Sequence, residues 1–303
     1  MPDVLLVAGE TLIDLVVHTD GSLSASPGGA PSNTAVAAAR LGLDVRFAGG
    51  VSTDRFGRQL LGRLVDAGVD VESVQRTDAP TSLAVAELGR DGAATYRFYF
   101  DGTAAPALAR VDQAGASIVF AGGLGLVLEP MATTIERAVG ATTVPVVIDV
   151  NCRPAVVADI DEFVRRVDRV VARASVVKVS DEDLAVLRPG VAVDAAVSDL
   201  LEVGARSVVV TAGSAPTIVA THVDRLEVPV PPLADELVDT IGAGDTFVAG
   251  LLAGLVESSA VDVTPATPAA DLVDAVRLGQ RAAAVVVTRR GADPPTRADL
   301  ALR

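Results

Sequence analysis

Short runs of nearly unbroken Val, Ile and Leu alternate along the chain with longer stretches in which apolar residues recur every three or four positions. The runs VLLVAG (4–9), VRFAGG (45–50), SIVFAGG (117–123), VPVVIDV (144–150), SVVKVS (175–180) and SVVVTAG (207–213) predict strands. They show little apolar–polar alternation, as strands buried on both faces do. The stretches 33–42, 55–68, 161–174 and 195–205 predict helices, two of which end at glycine, a common helix stop. This alternation argues for an α/β fold with a central, mainly parallel sheet flanked by helices. Two segments break the rhythm. TLIDLVVHTDG (11–21) and 81–102 alternate like half-exposed strands with no helix after them, the second with a hairpin turn at GRDG (89–92). They predict a small sheet standing off the main domain; an extension of the main sheet's edge is the alternative. No repeat, low-complexity segment or linker divides the 303 residues, so one domain is expected.

Composition narrows the chemistry. Half the residues are hydrophobic but only 3% are aromatic, so the core must be aliphatic. No apolar run reaches the roughly 18–20 residues of a membrane span. The N-terminus has no basic lead and reads as a first strand, so a cytoplasmic protein is expected. Lys and Arg total 25 against 39 Asp and Glu, a formal charge of −14, and Lys178 is the only lysine. Such a surface repels nucleic acid and anionic lipid, so no nucleic-acid or membrane partner is expected. Adaptation to high salt and a GC-rich codon bias explain the acidity equally well. Lys178 lies outside any Gly-Lys-Ser/Thr loop, which excludes a P-loop. Two His and the lone Cys152 cannot build an ordinary structural zinc site, and no GxSxG elbow is present. Chemistry falls to carboxylates, backbone amides and a bound cation.

Two clusters carry candidate chemistry. DTIGAGD (239–245) leads into the apolar run TFVAGLLAGL (246–255). A helix start exposes unpaired N–H groups and favours anions, and small residues let a phosphate approach the backbone. A carboxylate there makes sense as a proton acceptor beside amides that hold negative charge. Alone, GAGD reads as well as a tight turn with Asp245 as helix cap. SPGGAPSNTAVAAARLG (26–42) pairs a Gly28-Gly29 turn with Asn33 at the start of a small-residue helix. Asn33 is placed to bond sugar hydroxyls or merely to cap.

Together, GGAPSNTAVAAARLG and DTIGAGDTFVAGLLAGL resemble the two signature regions of the PfkB (ribokinase-like) carbohydrate kinases. GETLIDLV (9–16), GGVSTDRFGRQLLGRLVDAGVDV (49–71), DVNCRP (149–154), VKVSDEDL (177–184) and VTRRGADPPTRADL (287–300) fit the same resemblance, which spans the chain. It implies a ribokinase-like α/β domain with a small β-sheet lid from about 11–27 and 72–103. It also implies transfer of the γ-phosphoryl of Mg-ATP to a sugar hydroxyl. Asp245 matches the family's catalytic base, and Gly242, Ala243 and Gly244 its anion hole. Asp14, Gly28, Gly29, Asn33, Asn151 and Arg153 match substrate-binding positions, and Arg97 falls on the lid. Lys178, Ser180, Thr211, Gly213 and Gln280 match the nucleotide side. Asp183 would orient water on Mg²⁺. Asp239, Ile241, Val286, Arg289 and Gly291 match a K⁺ site built mostly of backbone.

There are departures. Ser180 and Asp183 replace the Asn and Glu of N-x-x-E, and Pro216 stands where a glycine is usual. Proline supplies neither the N–H nor the positive φ of that glycine. GGAP resembles fructokinase-like members and points to fructose, with 2-keto-3-deoxygluconate, ribose or a nucleoside as alternatives. Phe100 stands where those members carry Arg. A non-catalytic sugar or nucleoside sensor is the reading from another class. Lid sheets in this family often pair across a dimer; the apolar alternation of SLAVAEL (82–88) fits a homodimer through the lid and fits equally a lid that closes over the sugar.

Overall fold

The computed structural model of the chain describes residues 4–89 and 94–301, so all of the GRDG turn but its first glycine lies outside the described residues. In chain order the elements are β1 (Val4–Ala8), β2 (Leu12–Val17), β3 (Leu23–Gly28), α1 (Ala30–Arg40), β4 (Asp44–Ala48), β5 (Gly50–Ser52), α2 (Arg55–Asp66), β6 (Gln75–Thr77), β7 (Leu83–Leu88) and β8 (Ala94–Tyr99). There follow β9 (Ala116–Gly122), α3 (Met131–Ala141), β10 (Val146–Asp149), α4 (Ile160–Val171), β11 (Val176–Ser180), α5 (Asp181–Leu187) and α6 (Val193–Val203). The chain closes with β12 (Ser207–Thr211), β13 (Thr217–Thr221), β14 (Arg225–Val228), α7 (Ala243–Glu257), α8 (Val273–Val286) and α9 (Arg297–Ala301).

All six expected strands enter one eight-stranded sheet of order β14-β13-β12-β11-β10-β9-β1-β4. From β4 to β12 the pairing is parallel; β13 and β14 extend the edge antiparallel. Successive residues of each parallel strand face opposite ways into two cores. Leu5, Val7, Phe47 and Phe120 pack with α1, α7 and α8, while Leu6, Ala8, Val119 and Ile148 meet α3, α4 and α6. Unbroken apolar runs are thus required, since neither face meets water. The strand order reverses at β1, which lies between β4 and β9. The crevice beyond the carboxyl ends of such strands is where α/β sheets bind ligands.

The second sheet has the order β3-β2-β7-β8. Residues 75–77, within the range expected for the lid, pair instead with β5. One face of this sheet carries Leu12, Ala84 and Phe98, which pack with Phe100 and Leu124. Register places Asp14 on that same face, opposite Ala84 and Ser26.

α1 begins at Ala30, three residues before the expected start. Gly29 caps it at φ 98°, and a proline sits in the first turn, where its fixed φ suits a helix start. The glycines of TFVAGLLAGL serve packing. A Cβ at Gly250 would stand 2.7 Å from the Cα of Gly279, and one at Gly254 would stand 2.4 Å from the Cα of Ala275. α7 and α8 therefore touch backbone to backbone, which fixes where α7 starts. Among the described residues no helix is long and apolar enough to cross a membrane.

Candidate active site

The two clusters, about two hundred residues apart in sequence, meet where α1 and α7 begin. Asn33 Nδ2 donates to Asp245 Oδ2 at 2.8 Å, and Thr34 Oγ1 donates to the Asp245 carbonyl at 3.4 Å. Asp245 is buried, in the first turn of α7. Its Oδ1 makes no hydrogen bond within the described residues. No buried side-chain N or O there lacks a partner, so Oδ1 is open to solvent. Burial raises the Asp245 pKa, while the Asn33 bond and the nearby Lys178, Arg153 and Arg63 oppose the rise. The net effect holds the carboxyl above the ordinary aspartate range, the direction that suits a proton acceptor.

The turn before it is tight and made of small residues. Gly242 is left-handed at φ 76°, and a Cβ there would meet that of Ala292 at 2.8 Å. The Ala243 amide turns back to the Thr240 carbonyl at 3.2 Å, which leaves the next first-turn amides, Gly244 and Asp245, to face an anion. Lys178 Nζ stands 3.7 Å from where a Gly244 Cβ would be.

Asp14 reaches the same space from the small sheet. A Cβ at Gly28 would fall 2.0 Å from Asp14 Oδ2, so only glycine admits this carboxylate. Gly29 is fixed both by its φ and by the Glu10 carbonyl, 2.8 Å from where its Cβ would stand. Burial and the neighbouring Asp245 push the Asp14 pKa to about 6, against the pull of Arg63.

Three further groups belong here that no motif singled out. Glu10 is buried at the end of β1 and accepts from the Ala30 amide at 3.1 Å and the Gly125 amide at 3.0 Å. It ties the start of α1 to the segment after β9, and burial lifts its pKa to about 7. Arg63, from the last turn of α2, donates to Asn33 Oδ1 at 2.8 Å and to the Ala292 carbonyl at 3.2 Å. Asp149, at the end of β10, pairs with Lys178 at 3.1 Å, and both are buried. Burial raises the Asp149 pKa to about 6 even against the Lys178 charge. Burial works against the Lys178 ammonium, yet Asp149, Asp183 and Asp245 hold its pKa above the usual lysine value. Glu10 had a signal in the sequence, a lone acid ending an apolar strand. Arg63 had none, because one arginine on an amphipathic helix looks like any other.

The remaining expected residues divide. Asn151 stands in the left-handed region at φ 39°, beside the Lys178–Asp149 pair, a conformation asparagine tolerates better than most residues. Arg153 is exposed, donates to the Cys152 carbonyl at 2.9 Å and lends charge to Asp245. Thr211 ends β12 in register with Ser180, and Gly213 follows at φ 55°. Asp239 Oδ1 accepts from the Ile241 amide and Oδ2 from the Gly291 amide, each at 2.9 Å, so the two halves of the expected cation loop do meet.

Other expected residues make contacts within the fold. Arg97 lies opposite Val85, on the face of the small sheet away from Asp14, and its side chain is 60% exposed and paired with Glu87. Gln280 is buried and donates its Nε2 to Thr217 Oγ1 at 3.0 Å and the Val228 carbonyl at 3.1 Å. Val286 lies inside the last turn of α8, where its carbonyl takes the Arg289 amide. The Arg289 side chain turns to Asp293 and Asp299. Asp183 forms a capping box with Ser180, its Oδ2 on the Ser180 amide and its Oδ1 on the Cys152 amide at 2.7 Å. The Ser and Asp that depart from N-x-x-E thus hold α5 against the 149–152 loop.

The buried acids make stability depend on pH in an unusual direction. Glu10, Asp14 and Asp149 bind protons more tightly folded than unfolded. The stability they add is complete below their ordinary pKa values and is lost as pH rises through 6 to 7. Asp54 and Asp299, held at about 2, titrate below this window. The thermal midpoint of the sugar-free protein is expected to rise on acidification from about pH 8 to about pH 6, with a smaller rise in Glu10→Gln. A midpoint that falls steadily over that range contradicts these environments.

A parallel sheet with a carboxylate and a small-residue helix start at its carboxyl edge, and a small sheet bringing in a second carboxylate, agrees with a ribokinase-like α/β kinase, the class that the resemblance implies. Residues 3–299 match the pfkB family of carbohydrate kinases, and the chain belongs to that family. It is 35% identical to a fructokinase of Klebsiella pneumoniae, with 94% of each chain covered. It is also 35% identical to a fructokinase of Rhizobium leguminosarum bv. trifolii, over 83% of this chain and 79% of that one. The fructokinase of Xylella fastidiosa with bound ATP superposes with a TM-score of 0.90 at 28% identity, covering 100% of this chain and 98% of that one. A Vibrio cholerae fructokinase variant bound to fructose, ADP and potassium gives 0.83 at 28% identity, over 99% and 97%. The protein is a carbohydrate kinase, a phosphotransferase acting on a sugar hydroxyl.

Proposed function

We propose that the protein is an ATP-dependent fructokinase with Asp245 as its general base. The observation that carries the reading is the bond from Asn33 to Asp245, which joins the sugar-side turn to the phosphate-side turn. Asn33 holds Oδ2, and the free Oδ1 takes the proton from the attacking sugar hydroxyl. The sugar oxygen then bonds to the γ-phosphorus, the bond to the β-phosphate oxygen breaks, and ADP leaves. Negative charge on the transferring group meets the Gly244 and Asp245 amides, with Lys178 behind them. Asp14 grips sugar hydroxyls, and the small sheet acts as a lid that carries it.

Mg²⁺ neutralises the phosphates when bound. Among the described residues no group of three His, Cys, Asp or Glu side chains could hold a metal ion. The donor set therefore suits a cation that arrives on the nucleotide, with Asp183 reaching it at most through water. A K⁺ ion suits Asp239 and the backbone carbonyls of the 289–291 loop, while the Val286 carbonyl already accepts from the Arg289 amide.

Fructose is favoured over the acid-sugar reading by the fructokinase relatives. Arg97 faces away from Asp14, which leaves Arg153 as the cation an acid sugar would need. The test is ADP release with Mg-ATP on fructose, ribose, 2-keto-3-deoxygluconate and a nucleoside. Fructose is expected to give the highest kcat/KM. Turnover of another sugar with none on fructose overturns the substrate, and no turnover by folded, ATP-binding protein overturns the reading.

A further inference from the structure

We infer that Arg63 is a positioning residue for the phosphoryl transfer, fixing Asn33 and supporting the charge of Asp245 from α2; this rests on Asp245 being the base. Asn33 has two different amide ends. Its Oδ1 faces the Arg63 guanidinium and its Nδ2 faces the Asp245 carboxylate. Turned over, the amide would set N–H against a cation and oxygen against an anion. Arg63 therefore selects the one orientation that donates to Asp245.

The same guanidinium grips the Ala292 carbonyl, and Ala292 packs against Gly242 of the base's own turn. One side chain thus touches both supports of Asp245. Arg40 of α1 pins the next residues by bonding Asp293 and the Pro294 carbonyl.

Arg63 makes no ion pair among the described residues; its recorded partners, Asn33 and the Ala292 carbonyl, are neutral. Its charge therefore acts on its surroundings. Those are Asp14 of β2, Asp245 of α7 and Asp293, with Arg40 of α1 opposing. Lys178 and Arg153 act on Asp245 from the other side. An arginine kept only for folding has no reason to stand between the two carboxylates of the sugar site.

The test uses the full-length protein, Mg-ATP and fructose, or whichever panel sugar is turned over. Arg63→Met is expected to lower kcat roughly 10- to 100-fold, the scale of a small misplacement of reacting groups. The acid limb of its kcat/KM profile should move to higher pH, because a cation near the base is gone. Arg63→Lys should return the limb towards its place without restoring kcat, since an ammonium cannot fork to Asn33 and Ala292 together. A merely structural role would lower stability and leave the limb unmoved. Folded Arg63→Met with wild-type kcat and limb overturns the inference. If Arg63→Met does not fold, Arg63→Lys decides, and an unchanged kcat there overturns it. Asp245→Asn separates the two levels. If that variant stays active, the base reading fails and takes this inference with it. If it is inactive while Arg63→Met is normal, only the role of Arg63 fails.

Discussion

Lys178→Met is expected to destabilise the fold by about 3–5 kcal/mol, the usual effect of removing one partner of a buried ion pair. Lys178 stands within 3.1 Å of Asp149, and both side chains are almost wholly buried. Asp183 and Asp245 lie near enough to act on the same ammonium. Without it, Asp149 must take up a proton or sit charged among carboxylates with no buried cation beside it. Its pKa, already about 6 with Lys178 present, should climb further, so the loss of stability with rising pH should extend to higher pH in this variant. The check is chemical denaturation of Lys178→Met, Asp149→Asn and the double variant. The double variant should recover part of the loss, because its two neutral groups leave no unpaired charge. Equal stability of Lys178→Met and wild type contradicts the pairing.

Both the fold and the turn that carries Asp245 were visible in the sequence for physical reasons that also explain what was not. Strands buried on two faces must be apolar throughout, so β1, β9, β10, β11 and β12 stand out. β13 and β14 do not, because an antiparallel edge needs only half its positions apolar, and Arg225 and Glu227 interrupt the pattern. The Gly28-Gly29 turn and GAGD were legible because backbone approach and positive φ leave glycine as the residue that fits. Helix starts are likewise marked by what they cannot contain.

Side-chain destinations were less legible. Asn33 was expected to meet sugar hydroxyls, but a sequence cannot show that Arg63 and Asp245 would claim both ends of its amide. Gln280 and Asp183 sit at positions that suggest ligands, and the Gln280 Nε2 and both Asp183 carboxylate oxygens hold elements together. Arg97 turned on a register: one residue along β8 decides which face of the small sheet it joins. Glu10 and Asp149 acquire their importance from burial, which depends on the three-dimensional packing of residues remote in sequence.

The account stands most directly on Asp245→Asn. The change keeps size and the chance of a bond to Asn33 while removing the proton acceptor. Loss of a general base lowers turnover by about 10²–10⁴-fold. Binding should persist, since Asp14, the Gly28-Gly29 turn and the α7 amides remain. Stability should hold or rise, because the carboxyl removed is buried with its pKa already raised. The measurement is kcat for ADP release from Mg-ATP and fructose, taken beside the thermal shift each ligand induces. The account predicts a kcat lower by about three orders of magnitude with both thermal shifts retained. A kcat within a few-fold of wild type, in protein that still binds both ligands, would contradict it.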